Sequence, residues 1–172
     1  MRKLKLEELG RISVEAFKAQ EKQPLIIVLD NVRSMHNVGA VLRTSDAFNV
    51  ECVYLCGITP RPPHREIRKT AIGAEDSVDW RYEEHSVKLI KKLKKEGYRI
   101  HVLEQAEGSI PLPDFRRNQD QPAVLVLGHE VEGVNQEILD IADVALEIPQ
   151  FGTKHSLNVS VAGGIAMYAL TF

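Results

Sequence analysis

Cysteine is nearly absent: Cys52 and Cys56 are the only two among 172 residues. Both lie in ECVYLC, which reads as a strand. Four residues apart on one strand, they share a face but stand too far apart for a good disulfide. A reduced, cytoplasmic setting is therefore expected. An excess of one charge is missing as well. The 22 lysines and arginines are balanced by 24 acids, for a formal net charge of −2. That argues against a non-specific nucleic-acid coat but leaves room for a local basic patch. No long hydrophobic run occurs. The greasiest stretch, near VSVAGGIAMYAL, is too short and too rich in small residues to span a bilayer. No apolar run follows the first lysines, as a secretory signal would require. The histidines are scattered without metal-ligand spacing. No GK[ST] follows a glycine turn, and there is no three-glycine dinucleotide fingerprint.

What remains is an ordinary globular composition, 44% hydrophobic and 27% charged, at a length that suits one domain with a substantial core. Residues 4–20 have the spacing of an amphipathic helix, with Leu4, Leu9, Ile12, Val14 and Phe17 as its apolar positions. This N-terminal helix is expected to pack on a domain over 21–172. PLIIVLD is a continuous apolar run ending at Asp30, as in a strand covered on both faces. A helix follows from Asn37, then a strand in VECVYLC. Helical turns around a glycine are expected in HREIRKTAIGAEDSV, leading to a short strand near Val78–Tyr82. HSVKLIKKLKKEG is a helix with a glycine stop, and YRIHVLEQ a strand. SIPLPDFRRNQDQP, with its prolines, reads as a loop. AVLVLG is a strand, VNQEILDIA a short helix, VALEIP a strand and HSLNVSVAGGIAMYAL a closing helix. Strands alternating with helices predict an α/β fold with a mainly parallel sheet. Ligands of such sheets gather beyond the carboxyl ends of the strands.

Three loops lie at those ends. In DNVRSMHN, Asp30 and Asn31 have turn chemistry and Asn37 that of an N-cap. In GHEVEG, a glycine directly after a buried strand lets backbone approach a ligand, while Glu130 and Glu132 cannot both face one site. In PQFGTKHS, Ser156 or His155 can cap the closing helix, whereas Asn158 is a mediocre helix former in a first turn. Each residue alone has a structural explanation. One stripe stands out: Gly39, Arg43 and Ala47 share a helical face, so Arg43 has small neighbours where something can approach closely. The closing helix, with Val159, Val161, Ala162, Ile165 and Ala166, is too apolar to face water and suits a second subunit.

Taken in order, N-x-G-x-x-x-R-T-x-x-A-F, LVLG-x-E-x-x-G and IP-x-x-G-x-x-x-SLNVSVA-x-GI resemble the three signature motifs of the SpoU (TrmH-like) RNA methyltransferases. They run from Asn37 to Ile165, each after a predicted strand. The resemblance implies a SPOUT-type α/β knot: a mainly parallel sheet flanked by helices, with a deep C-terminal trefoil knot. It also implies S-adenosyl-L-methionine as cofactor and a homodimer with its active site at the interface. No metal and no membrane are expected. Leu127, Gly128, Ile148, Pro149, Ser156 and Leu157 would surround the cofactor, largely through backbone groups.

The implied reaction is methyl transfer to a ribose 2′-hydroxyl of structured RNA. The hydroxyl is a poor nucleophile, so a group must remove or weaken its proton. The resemblance assigns this task to Arg43. A guanidinium stays protonated in ordinary surroundings, so two versions stand: transient deprotonation, or clamping of the adjacent phosphate with stabilisation of the developing alkoxide. Asn37, Glu130, Ser156 and Asn158 complete the catalytic set. The asparagines would orient Arg43 or the ribose, and Glu130 would hold a motif-one side chain. RNA contacts are expected from Arg61, Arg65, Arg68 and Lys69, while KKLKK reads as a solvated helix face. Transfer RNA is favoured over ribosomal RNA because minimal single-domain relatives often act there. The rival of another class is a knotted RNA-binding or assembly factor without turnover, which the intact catalytic set disfavours.

Overall fold

In the computed structural model, which describes residues 1–10 and 12–172, the apolar runs become strands. These are β1 (Gln23–Asp30), β2 (Val50–Cys56), β3 (Trp80–Glu83), β4 (Arg99–Leu103), β5 (Ile110–Pro111), β6 (Ala123–Leu127) and β7 (Val144–Glu147). They form one sheet in the order β3-β2-β1-β6-β4-β7-β5, and every pairing between them is parallel. β1 is covered on both faces, as its unbroken apolar run requires. Leu25, Ile27 and Leu29 enter one core, and Ile26 and Val28 the other.

The first core is covered by α1 (Val14–Ala19), α2 (Met35–Ala47), α3 (Arg65–Ala71), α4 (Ala74–Ser77) and α7 (Val159–Thr171). The second lies under α5 (Ser86–Lys95) and α6 (Gln136–Ile141). α5 shows how pattern makes packing: Leu89, Ile90 and Leu93 are buried while Lys91, Lys92, Lys94 and Lys95 stay exposed. Cys52 and Cys56 are free and buried in the second core, where burial pushes both thiols up to about 12. Among the described residues, no helix is long and apolar enough to cross a membrane.

The structure corrects several expectations. The helix over 4–20 is two pieces, a 3-10 turn at Leu6–Leu9 and α1. Gly10 takes the left-handed conformation that ends the first, and Ser13 caps the second by accepting from the Ala16 N–H. Leu4, Leu9, Ile12 and Val14 are exposed and only Phe17 of the expected stripe is buried; Arg11 lies outside the described residues. α2 starts before Asn37, because Ser34 is its N-cap and accepts from the Asn37 N–H. The proline-rich loop contains β5 and a 3-10 turn at Leu112–Asp114. β5 is an edge strand, where a proline costs no ladder bond. In the same stretch Arg117 is buried and donates to the carbonyls of Leu170 (3.1 Å), Pro24 (2.6 Å) and Gln121 (3.1 Å). It ties the end of α7 to the start of β1. α7 begins at Val159, and its cap is Asn158 rather than Ser156 or His155.

Candidate active site at the carboxyl ends of the strands

A cavity of about 390 Å³ opens where β4, β6 and β7 end. Leu103, Leu127 and Ile148 give it apolar walls, and Glu104, Gln105 and Ser156 supply polar groups. Of the residues expected around a cofactor, Leu127, Gly128, Ile148, Ser156 and Leu157 line it. Pro149 is exposed and lies outside the lining. A side chain at Gly128 would overlap the backbone of Gly133 and Val134, so the group that approaches this glycine is the loop itself. His129 and Gly133 exchange backbone hydrogen bonds of 3.0 Å in both directions, which makes residues 130–132 the tip of a pinned turn.

Glu130 leaves that tip toward the start of α2. Its Oε2 accepts from the Arg33 N–H at 3.0 Å, and its Oε1 from the Ser34 N–H at 2.9 Å and from Asn37 Nδ2 at 3.0 Å. Burial pushes this carboxyl up, but the backbone N–H groups of Arg33, Ser34 and Glu130 itself, with the Asn37 amide, outweigh it and hold Glu130 below its ordinary value. An anion at a helix N-terminus is also favoured by the helix dipole. Asn37 in turn accepts through Oδ1 from Asn158 Nδ2 at 3.0 Å. Asn158 Oδ1 accepts from the Ser160 N–H at 2.9 Å and so starts α7. Glu130, Asn37 and Asn158, one from each motif, thus form a single hydrogen-bonded chain at the cavity. Glu132 stays exposed.

Arg43 is placed differently. It sits six residues beyond Asn37, roughly 9 Å along the helix axis, is exposed, and is not part of the cavity lining. Among the described residues no carboxylate pairs with it. The small residue before it does not clear space for it: Gly39 is buried, and a side chain there would overlap Thr70 Oγ1 and the Ile67 carbonyl of α3. Beside α2, α7 presents Val161, Ile165 and Tyr168 to solvent at 52%, 42% and 60% exposure.

The expected RNA contacts lie around α3. The Arg61 guanidinium stacks over the Tyr82 ring at 4.1 Å, and Arg65 is exposed. Arg68 Nε pairs with Glu75 Oε1 at 2.8 Å, and Lys69 Nζ with Glu66 Oε1 at 2.7 Å. The Lys69 pair is solvent-exposed and holds its cation weakly, whereas Glu75 is buried and depends on Arg68 for its partner. Two residues escaped the sequence reading. Glu104 accepts from the Val134 N–H at 3.0 Å, and Gln105 Nε2 donates to the His155 carbonyl at 2.8 Å. The signal was a polar pair directly after the apolar strand in RIHVLEQ.

The sequence profile of the SpoU rRNA methylase family matches residues 24–168. This chain belongs to that family. It is 35% identical, over 98% of its own length and 78% of the relative's, to the tRNA (guanosine(18)-2′-O)-methyltransferase of Aquifex aeolicus (strain VF5). It is 32% identical to the 23S rRNA (guanosine-2′-O-)-methyltransferase RlmB of Ralstonia nicotianae, over 86% of this chain but only 58% of that protein. The crystal structure of the A. aeolicus TrmH/SpoU tRNA modifying enzyme superposes with a TM-score of 0.78 at 31% identity, covering 91% of this chain and 77% of that one. An AdoMet-bound rRNA methyltransferase from Sinorhizobium meliloti gives 0.79 at 26% identity, over 94% of this chain and 60% of that one. This SpoU chain therefore spans less than two thirds of these ribosomal-RNA relatives. The family's cofactor is S-adenosylmethionine, and the cavity suits it. Its volume lies in the range of small-ligand sites, with apolar walls for a ring and a few polar groups to orient it.

Proposed function

We propose that this chain transfers a methyl group from S-adenosylmethionine to a ribose 2′-hydroxyl of structured RNA, with transfer RNA preferred over ribosomal RNA. The observation that carries the reading is the Glu130–Asn37–Asn158 chain, which joins three distant motifs beside a cofactor-sized cavity. Bound there, the cofactor supplies an electrophilic methyl group on a sulfonium. Leu127, Gly128, Ile148, Ser156 and Leu157 would hold it. Arg43, exposed and without a carboxylate partner among the described residues, clamps a phosphate next to the target ribose and stabilises the oxygen as its proton passes to water. Asn37 and Asn158 fix the start of α2 and α7, and so the direction in which Arg43 is offered. Arg61, Arg65, Arg68 and Lys69 bind phosphates farther out. The preference for transfer RNA is supported by coverage: the A. aeolicus tRNA enzyme is matched over most of its length and the RlmB relative over little more than half.

Arg43 lies outside the cavity lining, on the helix that packs against α7, and α7 exposes an apolar stripe. A homodimer paired through that face completes the site at the interface, with the family's C-terminal knot behind it and the N-terminal segment packed on the domain. The chain works in the cytoplasm, where RNA and reduced thiols are found. The deciding experiment is methyl transfer from labelled S-adenosylmethionine to RNA of a strain lacking this gene, followed by mapping of the 2′-O-methyl groups. A new mark in a transfer RNA supports the full reading. A mark in ribosomal RNA overturns the preference, and cofactor binding without transfer to any RNA overturns the activity.

A further inference from the structure

Gln150 and Ser156 both line the cavity, and all five residues between them are exposed. Phe151 is 98% exposed. The segment is nevertheless anchored at both ends: Gln105 Nε2 holds the His155 carbonyl at 2.8 Å, and Ile148 packs against the first core. Val131, which also lines the cavity, is 78% exposed on the turn after β6. Val131 thus flanks the cavity in water, and Phe151 stands in water directly after the lining residue Gln150. Two exposed cations accompany them, Lys154 in the same segment and Arg33, whose N–H is held by Glu130.

We propose that Phe151 is a base-stacking residue that holds an unpaired nucleobase of the RNA substrate at the mouth of the cavity. The inference rests on the methyltransferase reading above. A ribose must be brought to this mouth, and folded RNA is recognised chiefly through splayed-out bases stacked on aromatic side chains. A phenyl ring accepts any base because every base has a π-face, while Lys154 suits a neighbouring phosphate. A second copy of the chain is the competing occupant. The α7 stripe that suits a second copy carries no charged residue at all over Val159–Thr171, whereas 151–155 contains Lys154 and no acid. That positive charge favours a polyanion on this segment.

The test compares wild type with Phe151→Ala, Phe151→Leu and Phe151→Tyr, using bulk RNA from cells lacking the gene. RNA binding, methyl transfer, cofactor affinity by calorimetry and sedimentation are measured for each. Phe151→Ala and Phe151→Leu are expected to weaken RNA binding and raise KM for RNA by about five- to a hundredfold. Phe151→Tyr should stay close to wild type, with cofactor affinity and oligomeric state unchanged throughout. Wild-type RNA affinity in Phe151→Ala, equal performance of Leu and Tyr, or a shift toward monomer would overturn the stack. If wild type binds this RNA but transfers no methyl, the activity reading falls, and the binding series still decides the stack on its own.

Discussion

Asn37 and Asn158 lie 121 residues apart and share a hydrogen bond of 3.0 Å, with Asn37 bonded on its other side to Glu130 at 3.0 Å. Asn37→Ala removes both bonds and leaves the Asn158 amide without its partner. The expected loss of stability is about 1–3 kcal/mol, read from the urea midpoint. Methyl transfer should fall with it while the cavity still binds cofactor. In a double-mutant cycle with Asn158→Ala the two effects should fall short of additivity by at least about 0.5 kcal/mol. Strict additivity would show that the bond couples nothing.

Arg43 has no carboxylate partner among the described residues and lies outside the cavity lining. Arg43→Ala should therefore lower kcat by roughly a hundred- to a thousandfold, with calorimetric affinity for S-adenosylmethionine unchanged. Arg43→Lys keeps the charge but loses the planar fork, and should recover only part of the activity. Wild-type turnover in Arg43→Ala would remove this side chain from the mechanism.

The same helix shows what could and could not be read from the chain. Period and run length place β1, α5 and the strand–helix alternation, because burial writes itself into spacing. The three motifs bring Asn37, Glu130 and Asn158 forward as a set. The Ser34 cap escapes because Asn37 has the same capping chemistry and stands three residues on. β5 escapes because two residues become a strand only through their pairing with β7. Gly39 misleads because a small residue on a helix face admits either a ligand or another helix, and only packing decides between them. Glu104 and Gln105 form bonds to residues 30 and 50 positions away, which no local pattern encodes.

Gly39→Ala tests that packing. The added methyl meets Thr70 Oγ1 and the Ile67 carbonyl, so α3 must move away from α2. A cost of about 1–3 kcal/mol is expected, against the gain that alanine ordinarily brings to a helix interior. A raised Tm would mean that the α2–α3 contact gives way freely.

Acid should act in two stages. His101 is buried on β4 and held down to about 4 by that burial, against an ordinary 6.5. The unfolded chain takes up this proton first, so stability falls as pH drops from 6.5 to about 4, by on the order of 3 kcal/mol, and then levels off for this group. Glu130, held below its ordinary 4.5, contributes stability above that value and loses it as pH falls through its depressed value. His101→Leu should flatten the upper window and leave the lower one. The difference between wild type and His101→Leu across pH 7, 5 and 3.5 isolates the upper stage from the lower.

The exposed stripe of α7 sets the last expectation. Val161, Ile165 and Tyr168 follow helical spacing on a helix without one charged residue, a surface that water disfavours and a second copy would cover. Ile165→Asp places a charge at the centre of that surface, where burial without a partner costs several kcal/mol. The protomer's own core does not include Ile165, so the variant should keep wild-type circular dichroism yet sediment as a monomer at micromolar concentration. If the active site is shared between protomers, methyl transfer falls in the same variant although Arg43 and the cavity are untouched. A monomeric variant with full turnover would place the whole site within one chain.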